Sequence, residues 1–105
     1  MIAVIGATGT IGRNVTGFLE EWGADVARRD FRLEGEEHVD AREPASLRRA
    51  LEGARVVVNA ADYRLNLDVM RGALAASAHY VDLGGLFHVT RQQLELDAEF
   101  RRSRG

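Results

Sequence analysis

The chain has 105 residues, 46% of them hydrophobic, and a formal net charge of −2, which allows one domain with a buried core. No overall basic field is available to attract nucleic acid, and no apolar run approaches the length of a membrane span. The absence of cysteine excludes disulfides and thiol chemistry and is typical of a reducing compartment. We therefore expect a single cytoplasmic domain over residues 1–105.

The basic residues are all arginine, fourteen of them, and the chain contains no lysine. This excludes a P-loop and Schiff-base chemistry, which both need a lysine. It also excludes the Tyr-x-x-x-Lys pair of short-chain dehydrogenases, because Leu67 and Gly84 stand four residues after Tyr63 and Tyr80. Whatever the chain binds, it is not a complete short-chain dehydrogenase.

The first predicted elements are a strand and a helix joined by a glycine-rich turn, G-x-x-G-x-x-G over residues 6–12. Unpaired N–H groups and the positive dipole at such a helix start bind a pyrophosphate without basic side chains. We expect Gly6 to permit the tight turn, Gly9 to let the backbone approach the phosphates, and Gly12 to let the helix pack closely. The pattern favours dinucleotide binding over a structural loop with chance glycines.

The first helix is predicted from a stripe of apolar residues at helical spacing, with Gly23 as its stop signal. The stripe consists of Ile11, Val15, Phe18, Leu19 and Trp22. We expect Trp22 to pack at the helix end rather than to bind a ligand.

A second strand is predicted over residues 24–30, ending in Arg28, Arg29 and Asp30. This strand end meets the adenosine ribose in mononucleotide-binding units. Guanidinium groups bind phosphate in a bidentate way, so the two arginines favour the 2′-phosphate of NADP. Two alternatives remain open: the arginines are a solvated surface pair, or Asp30 binds a ribose hydroxyl.

A short third strand is predicted over residues 36–40, yet residues 31–35 leave no room for the helix of a parallel crossover. The segment therefore crosses in extended form, or the strand is antiparallel or irregular.

The remaining segments alternate between helix and strand. They are a helix from Pro44 to the stop signal Gly53, a strand over 54–61, a helix over 65–77, a strand over 79–83 ended by Gly84 and Gly85, and a last helix from a capping box at Thr90 and Gln93 to about Arg102. This alternation predicts an α/β, doubly wound Rossmann-type sheet of about five mostly parallel strands in the order 3-2-1-4-5.

Polar and small residues follow the predicted strands at the edge where a cofactor would lie. Asn59 offers a donor and an acceptor, and Ala60 and Ala61 leave room for a ligand, although a loop-capping role for Asn59 is nearly as plausible. For Tyr80 and Asp82 we favour a structural role at the strand end over contact with a nicotinamide. The histidines, His38, His79 and His88, lack metal-ligand spacing, so no metal site is expected.

Four segments together resemble the N-terminal NAD(P)-binding domain of saccharopine dehydrogenase-like oxidoreductases. They are residues 6–12, 40–47, 56–61 and 79–84, the last reading His-Tyr-Val-Asp-Leu-Gly. The resemblance implies hydride transfer between NAD(P) and a carbon–nitrogen bond of an amino acid, with a second domain that binds the substrate. It implies no confident acid–base catalyst in this first domain.

The cofactor-binding residues that follow from the motifs and the resemblance are Gly6, Ala7, Thr8, Gly9, Thr10, Ile11, Gly12, Arg28, Arg29, Asp30, Asp40, Asn59, Ala60 and Ala61. The chain departs from the family in lacking the helix after the second strand, in carrying Arg28 where an acidic residue is common, and in lacking the substrate domain. We therefore expect a fragment that binds NADP in preference to NAD. A non-catalytic NAD(P)-sensing or protein-interaction module and a scaffold that no longer binds are the alternatives. An unpaired edge at the last strand also predicts either a dimer or an edge that is covered in another way.

Overall fold

The structure, a computed structural model, describes residues 1–84 and 87–104, without the side chains of 87–89 and 104. In this part of the chain there are four strands and five α-helices. The strands are β1 Ile2–Ile5, β2 Val26–Arg29, β3 Val56–Asn59 and β4 His79–Asp82. The helices are α1 Thr10–Glu21, α2 Pro44–Ala50, α3 Asn66–Ala75, α4 Phe87–Leu94 and α5 Asp97–Arg104.

The strands form one parallel sheet in the order β2-β1-β3-β4. Since α1 leads from β1 to one side and α3 leads from β3 to the other, right-handed connections place these helices on opposite faces. Ile5 pairs with both Arg29 and Asn59, and Asn59 pairs with Asp82, so all four strands end at the same level. The doubly wound Rossmann-type sheet is confirmed, but with four strands rather than five.

The predicted third strand over residues 36–40 is reduced to a single parallel bridge between Asp30 and His38. The N–H of Asp30 donates to the Glu37 carbonyl at 3.0 Å, and the N–H of Val39 donates to the Asp30 carbonyl at 3.2 Å. Gly35–Glu37 form a 3-10 turn, which uses residues that a strand would need. Of the three possibilities left open, an extended crossing, an antiparallel strand or an irregular strand, the structure shows the irregular one.

The hydrophobic core lies between the sheet and the helices α2 and α3. Ile5 and Val57 from the strands pack against Leu51 and Val69, and all four are at most 2% exposed. A Cβ atom on Gly72 of α3 would lie 3.2 Å from Leu51 Cδ1, so the two helices approach closely at this glycine. Pro44 stands at the start of α2 as predicted.

The apolar stripe predicted on α1 is largely exposed, which corrects the expected packing of this helix. Phe18 is 59% exposed and Trp22 is 80% exposed, so Trp22 does not pack at the helix end. The helix instead buries Gly12 and Thr16 against the sheet. Small side chains on this face bring the helix axis close to β1 and leave the larger apolar residues outside.

The predicted last helix is divided into α4 and α5, separated by a turn at Glu95 and Leu96. Thr90 lies inside α4 rather than at its start, so the predicted capping box is wrong. Gly85 and the side chain of His88 lie outside the described residues. No described helix is long and apolar enough to cross a membrane, and the described residues contain no cluster of three or more metal-ligating side chains.

Candidate functional site

A cleft of about 580 Å³ lies at the carboxyl edge of the sheet. It is lined by the glycine-rich turn, by residues 30–32 after β2, by residues 39–42, and by residues 60–65 after β3. The chain leaves β1 and β3 in opposite directions at this edge, and open α/β sheets bind their ligands at such a reversal.

The glycine-rich turn is pressed against the segment that follows β3. Gly6 has φ +80°, and a Cβ atom there would lie 2.8 Å from the Ala61 nitrogen. The N–H of Ala60 donates to the Ile5 carbonyl at 2.9 Å. Gly6 thus serves the tight turn as predicted, and its missing side chain lets the backbone of Ala60 and Ala61 approach the turn.

Gly9 and Gly12 differ in what their missing side chains would meet. A Cβ atom on Gly12 would lie 2.0 Å from the Gly6 carbonyl oxygen, so the fold itself requires this glycine. A Cβ atom on Gly9 would meet the same oxygen at 3.5 Å, an ordinary contact, and Gly9 has an extended conformation with φ −73°. The fold does not require a glycine at position 9, yet Gly9 lines the cleft.

The N-terminus of α1 has free hydrogen-bonding capacity beside Gly9. Gly9 is the N-cap residue and provides no side-chain cap, and the first turn has no acidic residue. Arg13 is the first residue whose N–H donates to the Gly9 carbonyl, at 2.9 Å. The N–H groups of Thr10, Ile11 and Gly12 precede it, so helix geometry leaves them for a ligand or water.

Asp30 lies at the end of β2 and is only 8% exposed. Its Oδ2 accepts hydrogen bonds from the Thr8 N–H at 3.0 Å and the Thr8 hydroxyl at 2.8 Å, and its Oδ1 accepts one from the Arg32 N–H at 3.0 Å. Burial alone raises the pKa of this carboxyl, but the hydrogen bonds from Arg32 and Thr8 outweigh it and hold the pKa below its usual value. The cleft therefore contains an ionised carboxylate that is already well bonded.

Arg28 and Arg29 are not brought to the cleft. The Arg28 guanidinium makes a bidentate ion pair with Glu20 of α1, and this hydrogen bonding raises the pKa of Arg28 and lowers that of Glu20. The Arg29 Nε donates to the Ala50 carbonyl at 2.9 Å on the side of α2. Successive side chains of a strand point to opposite faces of the sheet. The side chains of Arg28 and Arg29 therefore lie over the faces of the sheet and not beyond its carboxyl edge, where the cleft is.

Three other arginines line the cleft, and each stands two residues after an aspartate whose carboxylate accepts the arginine N–H. The pairs are Asp30–Arg32, Asp40–Arg42 and Asp62–Arg64, with N···O distances of 3.0, 3.1 and 2.8 Å. The pattern Asp-x-Arg follows three predicted strands and is visible in the sequence, although the predicted site does not include Arg32, Arg42 or Arg64. The cleft is therefore lined by three arginines and three aspartates, and Arg42 and Arg64 form ion pairs with Asp40 and Asp62 at 3.5 and 3.7 Å.

Asn59 is 1% exposed and serves the structure. Its Nδ2 donates to Asn66 Oδ1 at 2.7 Å, and its Oδ1 accepts from the Ala61 N–H at 3.1 Å. These bonds fix the start of α3 and the turn after β3. The capping alternative for Asn59 is the one observed, and Asn59 positions Ala61 at the cleft instead of lining it.

Tyr80 and Asp82 lie at the strand end beside α4. The Tyr80 hydroxyl donates to Asp82 Oδ2 at 2.8 Å, and Gln93 Nε2 donates to the same oxygen at 2.6 Å. Burial, followed by the hydrogen bond to Asp82, raises the pKa of Tyr80 far above its usual value. The Tyr80 hydroxyl therefore stays protonated at neutral pH, and the pair has the structural role expected of it.

The predicted cofactor residues are thus divided between the cleft and its support. Those that line the cleft are Gly6, Gly9, Asp30, Asp40, Ala60 and Ala61. Thr10 and Ile11 are exposed at the start of α1, Ala7 is buried, and Thr8 and Gly12 hold the turn through the contacts described above.

Comparison with known proteins is consistent with this geometry. Residues 2–104 match the family described as the saccharopine dehydrogenase NADP binding domain. Similar solved structures include a protein from Burkholderia pseudomallei, with 27% identity and a TM-score of 0.63 over 80% of this chain and 47% of that one.

A short-chain dehydrogenase/reductase superfamily protein from Agrobacterium tumefaciens with bound NAD is 25% identical, with a TM-score of 0.64 over 78% of this chain and 31% of that one. An NADPH-dependent quinone oxidoreductase from Escherichia coli is 20% identical, with a TM-score of 0.58 over 98% and 44%; at this identity the likeness concerns the fold alone. The chain spans less than half the length of each of these three proteins.

Proposed function

Because the chain belongs to the family of saccharopine dehydrogenase NADP-binding domains and is an NAD(P)-binding Rossmann domain, we propose that it holds NADP(H) for hydride transfer. The proposed reaction of the whole protein takes place at a carbon–nitrogen bond of an amino acid. The rest of the protein supplies the substrate site. The observation that supports this function best is the open N-terminus of α1 beside Gly9, at the edge of the arginine-lined cleft.

In the proposed complex, the pyrophosphate lies against Gly9 and accepts hydrogen bonds from the N–H groups at the start of α1. No basic side chain is needed, because the helix dipole and the unpaired donors favour a bound anion. Ala60 and Ala61 also line the cleft, next to the glycine-rich turn. Their methyl groups leave the width that a dinucleotide backbone needs.

The adenosine ribose lies at the end of β2, where Arg32 follows Asp30. We assign the 2′-phosphate to Arg32, since Arg32 lines the cleft while Arg28 and Arg29 are bonded elsewhere. A guanidinium offers two parallel donors to a phosphate. This assignment retains the expected preference for NADP and moves it to a different arginine.

The domain itself positions the cofactor and provides no acid–base group in this proposal. Asp30 is ionised and bonded, and the Tyr80 hydroxyl is held by Asp82 away from the cleft. A bound nicotinamide supplies the hydride chemistry. Proton transfer to or from the substrate is assigned to the remainder of the protein.

Arg32→Ala is expected to lower the affinity for NADPH by about 10- to 100-fold, since a charge-assisted hydrogen bond contributes about 1.5–3 kcal/mol. The affinity for NADH is expected to change less than about twofold, because NADH has no 2′-phosphate. Isothermal titration calorimetry with both cofactors on the 105-residue chain measures the two effects.

Arg28→Ala is the matched control, because Arg28 is one of the arginines near the same strand end but forms its ion pair with Glu20. It should leave both affinities unchanged. Equal binding of NADPH and NADH by the unaltered chain would contradict the NADP preference. A loss of NADPH affinity in Arg28→Ala but not in Arg32→Ala would show that Arg28 binds the 2′-phosphate. Absence of any cofactor binding by the unaltered chain would contradict the proposed function.

Self-association is a further proposal, because β4 forms an edge of the sheet among the described strands. Val81 on this strand is 52% exposed, and exposed apolar edges pair with other chains. We expect sedimentation velocity to show a dimer at micromolar concentration, and Val81→Lys to shift it toward monomer. A monomer at all concentrations up to the solubility limit would contradict this expectation.

A further inference from the structure

Thr8 contacts the carboxylate that stands where an NAD site binds the ribose. We propose that the Thr8 hydroxyl determines cofactor preference, because it occupies the Asp30 oxygen that would otherwise accept the ribose 2′-hydroxyl of NAD(H). This inference rests on the proposed NAD(P) function and names a specificity-determining group within it.

The first step is the number of acceptor positions on Asp30. Each carboxylate oxygen accepts about two hydrogen bonds. Oδ2 already accepts two, from the Thr8 N–H at 3.0 Å and the Thr8 hydroxyl at 2.8 Å. Oδ1 accepts one, from the Arg32 N–H at 3.0 Å. A ribose hydroxyl therefore finds no free position on Oδ2 and a single one on Oδ1, beside the Arg32 N–H, so it gains less from Asp30 than it would from a free carboxylate.

The second step is the charge at the same corner. An ionised Asp30 would repel a 2′-phosphate if it stood alone in the cleft. Here two donors from Thr8 and one from Arg32 point at the carboxylate, and the Arg32 charge acts favourably on it. The carboxylate also accepts a hydrogen bond from the Arg32 backbone N–H, which holds the backbone of this residue at the cleft. An acidic residue at the end of β2 is thereby made compatible with a phosphate.

The third step separates this role from that of a plain structural contact between the glycine-rich turn and β2. A structural contact would affect both cofactors by the same factor, because both use the turn. The proposed role affects the ratio of the two affinities, because only NAD(H) carries a free 2′-hydroxyl at this position. The ratio of dissociation constants is therefore the decisive measurement.

The test uses Thr8→Val, which keeps the shape of the side chain and the backbone N–H but removes the hydroxyl. With one Oδ2 position free, the affinity for NADH is expected to rise about threefold to tenfold and that for NADPH to fall by a similar factor. Thr8→Ser keeps the hydroxyl and should retain the original ratio within about twofold. Calorimetric titration with NADPH and NADH gives the ratio for each variant.

A double-mutant cycle with Asp30→Asn assigns the effect to this pair of residues. In the Asp30→Asn background, Thr8→Val is expected to leave the ratio unchanged, because the carboxylate is no longer present. If Thr8→Val fails to fold, Thr8→Ala removes the same hydroxyl and should likewise shift the ratio toward NADH, and an unchanged ratio in that folded variant would overturn the inference.

Equal losses for both cofactors in Thr8→Val would overturn the inference and leave the proposed function intact. An unchanged ratio in a folded Thr8→Val variant would do the same, whatever the ratio in Asp30→Asn. If the unaltered chain binds neither cofactor, the proposed function fails and this inference fails with it. A shift of the ratio toward NADH in Thr8→Val, restored in Thr8→Ser, supports the role of the hydroxyl.

Discussion

Gly9→Val is expected to reduce the affinity for NADPH and NADH by about 100-fold while the chain remains folded. Gly9 lines the cleft at the N-terminus of α1, where the proposed pyrophosphate lies. An isopropyl group there occupies the volume of a phosphate, and overpacking of this kind costs about 1–3 kcal/mol. Calorimetry measures the affinities, and thermal unfolding by circular dichroism measures the stability.

The fold tolerates this substitution because a Cβ atom on Gly9 would meet only the Gly6 oxygen within the chain, at 3.5 Å. The extended conformation of Gly9 suits an L-residue, and the change of N-cap residue is expected to cost about 1 kcal/mol of stability. Gly17→Val is the control, since Gly17 lies on the same helix with no atom within 4 Å of its Cβ position. An unchanged affinity in a folded Gly9→Val variant would show that the turn is structural only.

Much of the fold can be predicted from the sequence because its signals are local. The apolar runs that become β1 and β3 are buried β-branched segments, and the glycine at position 6 is required by a turn with φ +80°. Pro44 gives the start of α2. These features depend on a few neighbouring residues, so they are readable without the tertiary structure.

The errors concern features set by distant contacts. Residues 36–40 are predicted as a short third strand, but the short connection after β2 allows only one bridge, at His38. The stripe on α1 has helical period and predicts the helix correctly. Its direction is decided by Gly12 and Thr16, whose small side chains face β1, and periodicity gives more weight to large apolar residues.

The site shows the same division. The glycine-rich turn, with a predicted strand before it and a predicted helix after it, is the basis for predicting the phosphate corner, whereas the position of each arginine depends on which neighbour it contacts. Arg28 of β2 forms an ion pair with Glu20 of the preceding helix α1, and no rule of sequence spacing predicts this pair. Arg32 is held at the cleft by the Asp30 carboxylate. The three Asp-x-Arg segments are far apart in the sequence, and only the fold shows that they line the same cleft.

Gly12→Ala is expected to destabilise the domain by roughly 3 kcal/mol, at the upper end of the usual cost of overpacking. The added Cβ atom would lie 2.0 Å from the Gly6 oxygen, 2.8 Å from the Gly6 carbonyl carbon and 2.9 Å from the Ala7 Cα. All three are backbone atoms, so no side-chain rotation relieves the overlap. The turn and the first residues of α1 must move apart, which also removes the shape of the phosphate corner.

The measurement is thermal or urea unfolding, with Gly17→Ala as the matched control in the same helix. For a domain of this size, 1 kcal/mol corresponds to a shift of about 4–8 °C in Tm, so Gly12→Ala should lower Tm by about 12 °C or more. Gly17→Ala should raise stability slightly, because alanine has the higher helix propensity and meets no neighbour there. An unaltered Tm in Gly12→Ala would mean that α1 does not pack against the turn as described, and the placement of its free N–H groups at the cleft would fail with it.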